Sequence, residues 1–89
     1  MARAPVCWLY RTDVGTFRII VRPEDGRFLL QVIDSTGEVE TFGSYHRPEA
    51  AADDVFMCST GFSAWDRRRT VDQPTDLSDW EPRYSRSGP

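Results

Sequence analysis

The side chains in this chain best suited to chemistry are His46, Cys7 and Cys58, with the carboxylates Glu49, Asp53 and Asp54 just downstream of the histidine. A serine or cysteine nucleophile needs an imidazole base that is itself held by a third group. The chain has 1 histidine, so any triad must use His46, and nothing in the spacing joins it to Cys7 or Cys58. Zinc sites bring four ligands in closely spaced pairs, and these residues match no such pattern. Glu49 and Asp53 stand four apart, on one face of a helix, with Asp54 adjacent. Carboxylates so placed can share a hard cation, but calcium and magnesium draw further oxygens from a defined loop. No glycine-rich phosphate loop is present. The expectation is a non-enzymatic protein with no metal site and no cofactor, and an acid cluster that is a solvated helix face.

The bulk numbers agree with that reading. At 89 residues the chain holds one small domain with a modest core. Net charge is −3 and the isoelectric point about 5.0, which argues against a general nucleic-acid binder. All 11 basic residues are arginines. Residues 1–65 carry nine acids against six arginines, whereas residues 66–89 carry five of each. No apolar run is long enough to cross a membrane, and MARAPVCWLYRTD has no long apolar stretch of the signal-peptide type. The expected compartment is the cytoplasm, where Cys7 and Cys58 read as buried thiols, with their pairing left open.

The elements that must position these groups follow from periodicity. In TFRIIVR (16–22), Phe17, Ile19 and Val21 alternate with Arg18, Ile20 and Arg22, a strand half buried against a core. PEDG (23–26) suits a tight turn, and RFLLQVI (27–33) places Phe28, Leu30 and Val32 together. DSTG (34–37) then leads into EVETFGS, with Val39 and Thr41 continuing the inner face. A fourth strand is expected over VCWLYRT (6–12), joined through Asp13, Val14 and Gly15.

Pro48 fits the first position of a helix, and Glu49 suits its positive end. PEAAADDVFMCST predicts about three turns, with a buried stripe of Ala51, Ala52, Val55, Phe56 and Ser59 and a left-handed stop at Gly61. Asp53, Asp54 and Met57 then face water. Phe62 and Trp65 close the end of the core. The fold class is α+β: a three- or four-stranded antiparallel meander packed on one helix, with an irregular C-terminal tail. Residues 1–66 form the domain, and 67–89 a polar tail that docks on it or acts as a docking motif. Trp80 and Tyr84 are too costly to leave in water.

One helix covers one side of a sheet. The other side is expected to expose Ile20, Leu29, Ile33 and Phe42, alongside Arg18, Arg22, Gln31, Glu38 and Glu40. With Trp80 and Tyr84, the four apolar residues make a candidate docking or dimer patch.

Three resemblances follow. GTFRI, GRFLLQV, GSYHRPEAAADDV and TGFSAWD resemble a group of small uncharacterised bacterial proteins with a GSY…PEAA…TG…WD pattern, which implies three strands and a helix but no activity. Gly43, Tyr45, Glu49, Ala50 and Ala51 echo the AP2 and integrase N-terminal type of DNA-binding module. That resemblance implies a nucleic-acid face built on Arg18, Arg22 and Arg27. In general character the chain is similar to phage-encoded inhibitors, including anti-CRISPR proteins. This implies a protein partner, such as a nucleic-acid-handling complex, met by Glu49, Asp53, Asp54, Glu38 and Glu40. Self-association as a homodimer is the third alternative, and no membrane partner is expected.

Overall fold

The computed structural model describes residues 5–67 and 77–84. Five strands form one antiparallel sheet: β1 Cys7–Thr12, β2 Gly15–Arg22, β3 Arg27–Ile33, β4 Val39–Tyr45 and β5 Glu81–Arg83, in the order β4-β3-β2-β1-β5. Helix α1 spans Pro48–Phe56, the short α2 Ser63–Asp66, and a 3-10 turn covers Leu77–Asp79. The α+β meander is as expected, and the tail adds to it. β5 pairs with β1, setting Glu81 opposite Leu9 and Arg83 opposite Cys7. The sequence showed no strand there because Glu81-Pro82-Arg83 is short and has a proline, which suits an edge strand.

The core lies on one face. Phe17, Ile19, Leu30 and Val32 meet Ala51, Ala52 and Val55 of α1, with Trp8, Trp65 and Trp80 around them. The alanines let the helix come close to the sheet, as their spacing predicts. Trp80 packs on Tyr10 and Phe17, at ring-centroid distances of 5.6 and 6.2 Å. The described part of the tail is therefore docked on the helix side. Trp80 belongs to the core and not to an outer patch.

β4 departs from simple alternation. Leu30 pairs with Gly43 but Gln31 with Thr41, so Phe42 is an extra residue at a β-bulge. The bulge reverses which residues face the core. Val39 and Thr41, expected inside, lie opposite Ile33 and Gln31 on the outer face. Glu40 lies opposite Val32, on the helix side. Phe42, expected outside, packs against the core and sits 5.5 Å from the Phe62 ring. A one-residue slip moves every side chain to the other face, and the EVETFGS pattern alone could not place it.

The end of α1 also differs from expectation. Met57 is the C-cap and Cys58 takes the left-handed conformation, at φ 56°. The Cys58 amide donates to the Val55 carbonyl and the Ser59 amide to the Asp54 carbonyl, a Schellman closure with cysteine where glycine is usual. Gly61, the expected stop, instead begins the loop into α2. Because a side chain is strained in this region, Cys58→Gly is expected to hold or raise stability, by up to about 1 kcal/mol, while Cys58→Val lowers it by about 2 kcal/mol. Urea melts of the two variants check this, and a less stable Gly variant would count against the strain.

Candidate functional site

The residues that stood out as a pattern prove to be framework. An added Cβ at Gly43 would lie 2.8 Å from the Tyr45 hydroxyl oxygen, so the glycine makes room for that ring. The hydroxyl donates to Asp54 Oδ2 at 2.6 Å, tying β4 to α1. Burial, and then the Asp54 carboxylate, push the Tyr45 phenol far above the usual tyrosine range. Asp54 is thus half-buried and engaged, not a solvated acid as its position suggested.

The TG…WD residues form a second lock. Asp66 accepts from the Thr60 amide at 3.0 Å, the Thr60 hydroxyl at 2.7 Å and the Gly61 amide at 2.7 Å. Trp65 Nε1 donates to the Val55 carbonyl at 2.9 Å. These contacts join the end of α1 and the loop after it to α2.

The reactive candidates do not converge. His46 is exposed and lies beside Arg27, whose Nη1 is 3.3 Å from each ring nitrogen. Cys7 belongs to the outer face of β1, opposite Ile20, whereas Cys58 packs against the core on the helix side. The sheet separates the two thiols, and they are not bridged. Burial pushes the Cys7 thiol up, against the pull of Arg18 and Arg83, which is the wrong direction for a nucleophilic thiolate. Among the described residues, no group of three or more His, Cys, Asp and Glu side chains is placed to hold a metal ion. No helix among them is long and apolar enough to cross a membrane.

Two surfaces of opposite sign remain. On the outward side of α1, Glu49, Asp53, Phe56 and Met57 follow one another at helical spacing, i, i+4, i+7 and i+8. Phe56 is 42% and Met57 65% exposed, among the most exposed large apolar side chains of the described residues. Phe56 was expected inside; Ala51, Ala52 and Val55 fill the contact and turn it out. The outward stripe is therefore half acidic and half apolar. Glu38 and Glu40 are exposed near the β3–β4 turn, and Glu40 shares the helix side of the sheet.

The opposite sheet face, which no described helix covers, reads across the strands in rows. One row is Glu81, Leu9, Arg18, Gln31 and Thr41; the next is Arg83, Cys7, Ile20, Leu29 and Ser44. Arg11, Thr16, Ile33 and Val39 form a third, and Arg22 and Arg27 face each other at the end. The expected patch of Ile20, Leu29 and Ile33 is present, without Phe42 or Trp80. Tyr84 lies elsewhere, lining a cleft with Pro5, Trp8 and Pro82. Arg18, Arg22 and Arg27 do share this face, which Glu40 and Phe42 have left. Several of the arginines are already answered. Asp25 takes two hydrogen bonds from Arg22, which holds its carboxyl at about 2. Glu81 pairs with both Arg11 and Arg83. The chain also carries Arg67, Arg68 and Arg69 in succession, of which 68 and 69 lie outside the described residues.

Sequence reasoning missed the exposure of Phe56, though it placed Met57 outside, and it missed the tail strand. The signal for the first was Ala51-Ala52 with Val55, which alone completes a narrow helix contact. Comparison with protein-family models, curated proteins and solved structures finds no match.

Proposed function

We propose that this chain is a non-enzymatic binding protein that recognises another protein through the outward stripe of α1. Glu49 and Asp53 meet basic groups of the partner, and Phe56 and Met57 enter an apolar recess beside them. The observation that carries this reading is the spacing of an acidic pair and two exposed apolar side chains along one helical stripe. Helices that dock in grooves present anchors at i, i+4 and i+7 in this way. Neither Glu49 nor Asp53 is drawn into an ion pair within the described residues, so both charges remain available to a partner.

A basic surface is what nucleic-acid-handling proteins offer to a phosphate backbone. An inhibitor of the anti-CRISPR kind would act by covering it. The AP2-like alternative is disfavoured by dimensions. At about 4.8 Å between strands, five strands span about 19 Å, whereas a major groove about 12 Å wide admits a two-stranded ribbon.

Reversing both acids, as Glu49→Arg with Asp53→Arg, leaves the Tyr45–Asp54 bond in place. It is expected to weaken partner binding at least tenfold, the scale of losing interface anchors. The readout is the protein that the immobilised chain retains from a nuclease-treated bacterial lysate. Loss of that protein from the reversed variant alone fits the proposal. Equal retention by both contradicts it. A partner that is a second copy of the chain would appear as a dimer in sedimentation.

A further inference from the structure

The sheet face opposite α1 has, among the described residues, one built polar feature at its centre. Arg18 donates from Nε at 3.0 Å and from Nη2 at 2.7 Å to Gln31 Oε1. Gln31 is 9% exposed and donates in turn from Nε2 to Thr41 Oγ1 at 3.1 Å. Two neutral side chains thus fix the plane of the guanidinium without cancelling its charge. No carboxylate among the described residues pairs with Arg18. By register, Leu9 is its neighbour on β1, Ile20 and Leu29 follow in the next row, and Ile33 lies in the row beyond Gln31. All four side chains are partly buried. A guanidinium fixed in one orientation, with apolar neighbours that limit water, suits a planar anion taken by two parallel hydrogen bonds.

We propose that the sheet face opposite α1 is a second docking site, which takes an acidic protein segment and seats one of its carboxylates on Arg18. Among the described residues the face holds five arginines, Arg11, Arg18, Arg22, Arg27 and Arg83, against the two acids Asp25 and Glu81. This positive excess sits on a chain of net charge −3, so the complement it selects is acidic. The partner is a protein and not a nucleic acid, because no aromatic side chain of the described strands stands on this face to stack a base. The aliphatic rows match the apolar side chains of a protein segment instead. A second copy laid face to face about an axis at the centre would oppose two uncancelled Arg18 groups, which repel. This site is distinct from the α1 stripe and lies on the other side of the sheet, so one chain holds two partners of opposite charge.

The test is fluorescence anisotropy with a short labelled peptide that alternates glutamate and leucine. Its lysine–leucine counterpart and a DNA duplex serve as separate arms. Wild type is expected to bind the glutamate–leucine peptide alone. Arg18→Ala is expected to weaken that binding about tenfold or more. Gln31→Glu supplies an internal carboxylate to Arg18 at nearly unchanged volume, and the Thr41 hydroxyl can donate to it. This variant should lose the peptide to the same degree while its thermal melt is kept, which separates loss of the site from loss of the fold. Asp53→Arg should bind as wild type does, so failure here and failure of the α1 reading are told apart. Unchanged affinity in Arg18→Ala or Gln31→Glu, equal binding of the lysine peptide, or tighter binding of the duplex would each overturn the proposal.

Discussion

Trp65→Ala is expected to remove about 3–5 kcal/mol of stability, the range for truncating a buried aromatic. Trp65 is 2% exposed, and its ring meets Phe17 edge-on at 5.1 Å. Phe17 is itself fully buried and also touches Phe62 and Trp80, so the cavity would open where α2, the tail and the sheet converge. The indole also donates to the Val55 carbonyl, near the end of α1. Domains of this size hold only about 5–15 kcal/mol in total, so the variant should be close to unfolding at room temperature. Trp65→Phe keeps an apolar ring and loses the donor, and should cost about half as much. Chemical denaturation with equal slopes for all three proteins is the measurement. A loss below about 1 kcal/mol for the alanine variant would mean that α2 is not part of the cooperative unit.

Gly43→Ala is the second large effect, expected at about 2–3 kcal/mol, because the new methyl meets a ring that cannot step aside. Tyr45 is held by the hydrogen bond from its hydroxyl to Asp54, and the methyl would lie 2.8 Å from that hydroxyl oxygen. The cause can be isolated. In a Tyr45→Ala background the same Gly43→Ala change should cost almost nothing, a coupling that a double-mutant cycle reads directly. If Gly43→Ala costs the same in both backgrounds, the backbone and not the ring sets the requirement.

The same contact fixes a pH dependence. The Tyr45 pKa is raised by burial and by Asp54, so the folded chain favours the neutral phenol. Its contribution is fully present below the ordinary tyrosine value of about 10. It is lost as pH rises beyond that, where the unfolded chain ionises and the folded chain does not. Burial raises Cys7 in the same sense, from a lower starting point, so the informative quantity is the difference between wild type and Tyr45→Phe. That difference should shrink above about pH 10.

How much of this was legible in the sequence depends on which periodicity was at work. Phe17, Ile19, Phe28, Leu30 and Val32 alternate without interruption, so the β2–β3 hairpin and its inner face were readable. Pro48 and the alanines placed α1 equally well. β4 was not readable in the same way, because the bulge at Phe42 breaks the two-residue period and exchanges Val39 and Thr41 with Glu40 and Phe42. Cys58 hid the end of α1, since only the tertiary fold could tell that a cysteine would take the left-handed position. The acidic stripe was half legible: Glu49 and Asp53 are outside as their spacing predicts, while Asp54 is claimed by Tyr45 from another element. The central Arg18–Gln31–Thr41 row joins three strands, so no local pattern announces it. A sequence shows the side chains of one element well and the meetings between elements poorly.

The stripe of α1 is the centre of the functional account, and covalent footprinting of the bound chain tests it most directly. Carbodiimide labelling reports Glu49 and Asp53, oxidation reports Met57, and Glu24 and Asp34 serve as exposed controls on the turns. With partner bound, Glu49, Asp53 and Met57 are expected to be protected together while Glu24 and Asp34 label as before. Protection confined to the turns, or full labelling of Glu49, Asp53 and Met57 in the complex, would contradict the account.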